Sequence, residues 1–143
     1  MSAIIQILGP DDGAVLDDVD PEVFDHPVDP RWAAEFLNDE RHHLAVAVVD
    51  GQVIGMASAV HYVHPDKPPE LWINEVGVAA AQQNQGIGRR LLAALFARGR
   101  ELGCGAAWVL TDESNAAARR LYAAAGGDET REIVMVSFSL DEA

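Results

Sequence analysis

The chain has 143 residues, 49% of them hydrophobic, and a formal net charge of −13. That length suits a single domain, 1–143, with a real core, and that charge argues against nucleic acid or an anionic membrane surface as partner. No apolar run reaches the length of a membrane span, no basic-then-apolar leader is evident, and the lone Cys104 excludes an internal disulfide and fits a reducing cytoplasm.

Ala3 to Leu8 is a short apolar run ended by Gly9-Pro10 and predicts a first strand. Asp11 or Asp12 is placed to cap a following helix. Residues 13–38 mix acidic and apolar positions around Pro21, Pro27 and Pro30. They predict one or two short helices, the second over Pro30 to Leu37 with proline in its first turn. Leu44 to Val49 is a strand, Asp50-Gly51 a two-residue hairpin signal, and Gln52 to Val63 the partner strand. A proline-marked loop leads to a third long strand, Glu70 to Val78.

After a polar turn, Ile87, Leu91, Leu92, Leu95, Phe96 and Leu102 fall at helical spacing. Ala106 to Leu110 reads as a short buried strand, and Asn115 to Ala125 as a helix with Asn115 or Ser114 at its cap. Glu132 to Leu140 alternates well enough for a final strand. The pattern is mixed α/β, hairpin-rich in its first half and strand–helix–strand–helix–strand in its second.

Charge is distributed unevenly along these elements. No Lys or Arg precedes Arg31, while Asp11, Asp12, Asp17, Asp18, Asp20, Glu22 and Asp25 crowd the first part. That crowding suits either a solvated acidic surface or a wall facing a cationic substrate. No spacing of His, Cys and carboxylates suggests a metal site.

The turn before the long helix, Gln83-Asn84-Gln85-Gly86-Ile87-Gly88-Arg89-Arg90, carries the chemistry. It follows a strand and opens a helix. Glycines let backbone approach a ligand closely. The first N–H groups of a helix lack intrahelical partners and sit at the positive end of its dipole. Two arginines in a first helical turn oppose that dipole unless an anion docks there. The alternative is an ordinary strand-to-helix turn with exposed arginines.

Val76-Gly77-Val78, then Gln83-x-x-Gly86-x-Gly88, then Asn115-x-x-Ala118-x-x-x-Tyr122 stand in a fixed order. This set resembles the GNAT superfamily of acetyl-CoA-dependent N-acetyltransferases, whose signatures are Gln/Arg-x-x-Gly-x-Gly/Ala after a strand and a later Asn-x-x-Ala-x-x-x-Tyr. The match covers residues 71–127. The resemblance implies a mostly antiparallel central sheet of six to seven strands flanked by about four helices. It implies that the pyrophosphate of coenzyme A sits on the backbone of Gln83, Asn84, Gln85, Gly86, Ile87, Gly88 and Arg89, with Asn115 and Tyr122 also on the cofactor side. The pantetheine arm would pair with Val76 and Val78. Gly77 is the expected place for a bulge that splays the strands. The Val76 N–H would stabilise the tetrahedral oxyanion, and Tyr122 would protonate the departing thiolate.

A protonated amine cannot attack a thioester, so a base is needed. Glu75 is the first candidate, either accepting the proton or holding the ammonium; Glu70, Asn74, His61 and Tyr62 are weaker ones. Phe24-Asp25, a carboxylate directly before Val76, and the overall length resemble the aminoglycoside 3-N-acetyltransferase-like group. Asn74-Glu75 replaces that group's Tyr-Asp, and Gly127 stands where an aromatic usually follows. The expected acceptor is therefore a primary amine of a small cationic molecule. Transfer to protein or peptide amines, and a non-catalytic acyl-CoA-binding module, are the alternatives. An exposed final strand would be able to pair across a homodimer.

Overall fold

The computed structural model describes residues 2–141, so Met1 and residues 142–143 of the expected 1–143 domain lie outside the described residues. Five strands form one sheet in the order β1-β2-β3-β4-β5. They are β1 (Ile4–Ile7), β2 (His42–Val49), β3 (Gln52–Tyr62), β4 (Glu70–Val78) and β5 (Ala106–Val109). Neighbours are antiparallel except β4 and β5, which are parallel. Three α-helices, α1 (Pro30–Asn38), α2 (Ile87–Glu101) and α3 (Ala116–Ala124), accompany two 3-10 turns, Gly13–Asp17 and Ala80–Gln82.

Local chemistry explains the element ends. Asp50 and Gly51 both take positive φ, 50° and 80°, which a two-residue hairpin matching the strand twist requires. Asp29 caps α1 by accepting from the N–H groups of Arg31 and Trp32, and Pro30 opens the helix where an N–H would be unpaired anyway.

The two sheet faces hold two cores. On one, Ile87, Leu91, Leu92 and Leu95 of α2 lie on Ala45, Ala47, Ala57 and Ala59, a field of small side chains that lets the helix settle close to the strands. On the other, Leu44, Val46, Val53 and Met56 are covered by Leu8, Leu16, Val23 and Leu37 from the N-terminal segment and α1.

Three expectations are corrected. The sheet has five strands among the described residues, not six to seven, because Glu132 to Leu140 forms no strand and leaves Val134 and Phe138 more than 80% exposed. Alternation specifies a face that pairing can use; it does not supply the partner. Among the described residues there are three α-helices, not about four. The acidic stretch after Gly9 becomes a 3-10 turn and irregular chain, where Asp12 and Asp20 side chains accept from nearby backbone N–H groups and compete with helix formation. The bulge lies at Asn74, not Gly77: Ser58 opposes Glu75 and Ala59 opposes Ile73, leaving Asn74 as the extra residue. Gly77 answers another need. A Cβ there would lie 2.2 Å from the Val23 carbonyl oxygen, so only glycine lets the N-terminal segment cross β4.

Candidate active site

The site begins where β5 stops. β5 pairs with β4 only over Glu70 to Ile73, whereas β4 continues to Val78. Beyond the bulge at Asn74 the outer edge of β4 has no strand partner among the described residues. The Ala79 N–H donates to the Ile54 carbonyl at 2.9 Å. Strand alternation then points the Gly77 groups toward β3 as well, and turns those of Val76 and Val78 to the open edge. There Gln83 Nε2 donates to the Val78 carbonyl at 3.0 Å, tying the edge to the turn that follows.

That turn delivers the start of α2. Asn84 and Gly86 take left-handed φ values of 63° and 78°. Among the described residues no side chain caps α2, and the N–H groups of Ile87, Gly88 and Arg89 lack intrahelical acceptors in the first turn. A Cβ on Gly86 would meet nothing within 4 Å, so the surroundings are open. Gly88 has a different reason: a Cβ there would press within 3.1 Å of the Leu121 methyls, so it sets the approach of α3. Arg90 donates to the Ala3 carbonyl at 3.0 Å, while Arg89 is exposed beside the free N–H groups.

α3 brings in the phenol. Asn115 Oδ1 caps this helix by accepting from the Ala118 N–H at 3.1 Å. Tyr122 is half-buried against the cluster that also receives Val76, Val78 and Leu121 and contains Ile87. Burial pushes its phenol up from the usual 10, so it holds its proton throughout the neutral range.

The opposite face of the sheet carries Glu75. Its register partner is Ser58, and Gly77 faces Met56, so Glu75 lies on the side covered by the N-terminal segment. Trp72 shares that side. Its ring stacks on Trp108 of β5, centroids 5.0 Å apart and tilted by 13°. Trp108 Nε1 donates to the Tyr62 hydroxyl at 3.0 Å, and His64 pairs with Glu70 at 3.0 Å. The Val23 carbonyl sits over Gly77, and Glu22 accepts from the Ala80 N–H at 2.8 Å. These two contacts pin the acidic segment that runs on into Phe24 and Asp25.

An open strand edge leading into an uncapped glycine-turn helix is the arrangement the motifs anticipate. The Acetyltransferase (GNAT) family model matches residues 4–126. The chain belongs to the GNAT family. It is 34% identical over 111 residues to a mycothiol acetyltransferase of Thermomonospora curvata, covering 71% of this chain and 35% of that one. The chain thus spans about a third of the length of that curated relative. Two solved structures share the fold. One is an aminoglycoside acetyltransferase from an uncultured soil metagenomic sample in complex with sisomicin, with a TM-score of 0.81, 20% identity and 97% of both chains covered. The other is AAC(6')-Iy in complex with the bisubstrate analogue CoA-S-monomethyl-acetylneamine, with a TM-score of 0.80, 20% identity, and 97% of this chain and 99% of that one covered.

Within this GNAT domain the expected site residues divide by face. Val76, Val78, Ile87 and Tyr122 meet at the α2-side cluster, and Gln83 is bonded to Val78. Glu75 lies across the sheet from them. His61 is drawn away from both: it bonds His43 at 2.8 Å. The Trp72–Trp108 pair escaped the sequence reading. The signal available was one exposed-face tryptophan in each of two strands, which becomes meaningful only once the strands are known to be neighbours.

Proposed function

We propose that this GNAT domain moves an acetyl group from acetyl-CoA to a primary amine of a small cationic molecule. The observation that carries the reading is the open β4 edge, Val76 to Val78, running into the uncapped start of α2. An extended pantetheine arm suits such an edge as an added strand does. A pyrophosphate suits free N–H groups at the positive end of a helix, with Arg89 beside them. Val76, Val78, Gln83, Asn84, Gln85, Gly86, Ile87, Gly88 and Arg89 would hold the donor, with Asn115 and Tyr122 flanking it. Once bound, the donor supplies an activated thioester.

The remaining chemistry belongs to side chains and backbone. Glu75 accepts a proton from the substrate ammonium, directly or through water. The freed nitrogen bonds to the acetyl carbon, and the Val76 N–H donates to the carbonyl oxygen as it gains charge. The C–S bond then breaks, Tyr122 gives its proton to the departing sulfur, and the extra proton left on the new amide nitrogen is lost to solvent, from which Tyr122 is reprotonated. On the acceptor side, Glu75, the neighbouring acidic segment and the face of the stacked indoles favour a cation. The aminosugar bound in the sisomicin complex is of that chemical class. The unpaired Cys104 suits a reducing compartment such as the cytoplasm.

The test is thiol release from acetyl-CoA across aminoglycosides, polyamines, amino acids and peptides. Turnover with polycationic amines is expected, together with a rise in melting temperature on adding coenzyme A. Turnover with peptides alone would sink the acceptor class; no thermal shift would sink the donor assignment.

A further inference from the structure

β4 leaves the sheet into Ala79-Ala80-Ala81, three residues whose side chains hold no hydrogen-bond acceptor. The 3-10 turn that starts there receives no cap from the residue before it. Ala79 is buried, and its N–H is taken by the Ile54 carbonyl. The Ala80 N–H is met from elsewhere, by the Glu22 carboxylate at 2.8 Å, 58 positions earlier in the chain. A bond to an ionised acceptor is stronger than one between neutral groups.

This contact sets Glu22 apart from its acidic neighbours. Asp12 and Asp20 accept from backbone N–H groups within three positions, and Asp18 accepts from the Gln52 side chain. Among the described residues, Glu22 is the member of the acidic stretch that reaches the turn between β4 and α2. Glu22 is exposed, so packing does not place it there.

The segment around Glu22 is fixed on one side and loose on the other. Upstream, Val53 exchanges backbone bonds with Asp18 and Asp20, both 2.9 Å. Val23 is buried, with its carbonyl over Gly77. Downstream, among the described residues, no backbone hydrogen bond involves Phe24 to Val28, and order resumes where Asp29 caps α1. Glu22 thus stands at the last fixed point before Phe24 and Asp25. Its partner Ala80 lies between Val78, at the end of the β4 edge, and Gln83, which bonds the Val78 carbonyl.

We propose that Glu22 is a positioning residue that couples occupancy of the donor seat to the order of the acceptor segment. The inference rests on the donor seat proposed above, which flanks Ala80 on both sides. Holding Val78 and the glycine turn holds the Ala80 N–H. That N–H holds the Glu22 carboxylate, and Glu22 steadies Phe24 and Asp25 on the Glu75 side of β4. The wall that meets the amine is therefore set more firmly when the donor is in place, and linkage makes the effect reciprocal. Glu22 acts through its bond to Ala80, not by touching the amine.

Two variants separate the bond from the charge. Glu22→Gln keeps an acceptor oxygen and loses the charge; Glu22→Ala loses both. Hydrogen exchange is read at the Glu22 and Val23 amides of the native chain, each bonded to Asp20, and at the same positions in the variants. Saturating coenzyme A should slow these amides about fivefold in the native chain and in Glu22→Gln, and leave them unchanged in Glu22→Ala. In thiol release with the best amine of the panel, Glu22→Ala should raise the amine KM about fivefold, with kcat within about twofold, and Glu22→Gln should match the native chain. A coenzyme A effect on the amides that survives in Glu22→Ala overturns the proposal, as does an unchanged amine KM. Glu22→Gln behaving like Glu22→Ala also overturns it, since the charge would then act on the amine directly. A native chain whose melting temperature ignores coenzyme A overturns the donor seat and this role together. A normal thermal shift with insensitive amides overturns this role alone.

Discussion

Gly77→Ala tests the crossing that shapes the acceptor side. The new methyl would sit 2.2 Å from the Val23 carbonyl oxygen, where ordinary contact begins at 3.4 Å. The two backbones must separate by about 1.2 Å, and neither is a flexible side-chain tip. Val23 is only 3% exposed and belongs to the core beneath α1, so the displacement propagates into packed side chains. Overpacking of this kind costs about 1–3 kcal/mol, and backbone against backbone belongs at the upper end. For a domain of this size about 3 kcal/mol lowers Tm by roughly 9 °C. Thermal unfolding by circular dichroism reads it directly. Gly13→Ala is the control, because a Cβ there meets nothing within 4 Å; its stability should stay within about 0.5 kcal/mol of the native chain. The same displacement shifts Val23 to Asp25 relative to Glu75, so the amine KM should rise while the thermal shift given by coenzyme A persists. A Gly77→Ala protein that melts within about 2 °C of the native chain would refute the reasoning.

Three further outcomes are expected. Tyr122→Phe should lower kcat about 10²-fold, the low end for a lost general acid, with the amine KM nearly unchanged; unaltered turnover removes Tyr122 from the chemistry. Glu75→Gln should lower kcat about 10²-fold through loss of the base and raise the amine KM about tenfold through loss of a charged hydrogen bond, and Trp72→Ala should raise KM alone, a few-fold, if a cation rests on the indoles; steady-state kinetics with the best amine decides both. His43 is 4% exposed, and burial together with the neighbouring His61 and Arg98 lowers its pKa from 6.5 to about 4. The unfolded chain therefore binds more protons between those values, so His43 costs nothing above pH 6.5 and removes stability as pH falls toward 4, by about 3 kcal/mol in all. Urea titrations of the native chain and His43→Leu should diverge in that window; parallel curves would contradict the assignment.

Much of this domain was legible in the sequence because its signals are local. The Asp50-Gly51 hairpin, the apolar stripe of α2 and the Asn115 cap each depend on residues within a turn or two, and each appears where expected. The donor side has the same character: β4, the glycine turn and α2 are contiguous, so a linear motif records them. The illegible parts depend on what lies opposite. Gly77 looked like a bulge because glycine in a strand weakens pairing, yet its reason is Val23, 54 positions earlier in the chain. The register shift at Asn74 needed β3 as a ruler. Trp72 and Trp108 form a platform only through parallel pairing, and the final alternating segment, expected as a strand, forms none because alternation supplies no partner.

The placement of Glu75 and Tyr122 on opposite faces explains why the open edge matters beyond holding a donor. In a continuous sheet, backbone bonds and packed side chains would separate a base on one face from an acid on the other. Here β5 stops pairing at Ile73 and β4 is displaced by one residue at Asn74, immediately before Glu75. From Val76 onward no strand closes that side of β4 among the described residues. On the proposed mechanism, an acetyl carbon held along the edge is then accessible to a nitrogen arriving from the Glu75 face and a proton arriving from the Tyr122 face. The Val76 N–H lies in the plane between the two approaches. On that proposal the bulge sets the reaction geometry. Were Asn74 paired in regular alternation instead of bulged, Glu75 would fall on the same side as Ile73, facing α2, and on the proposed mechanism the amine would be separated from its base.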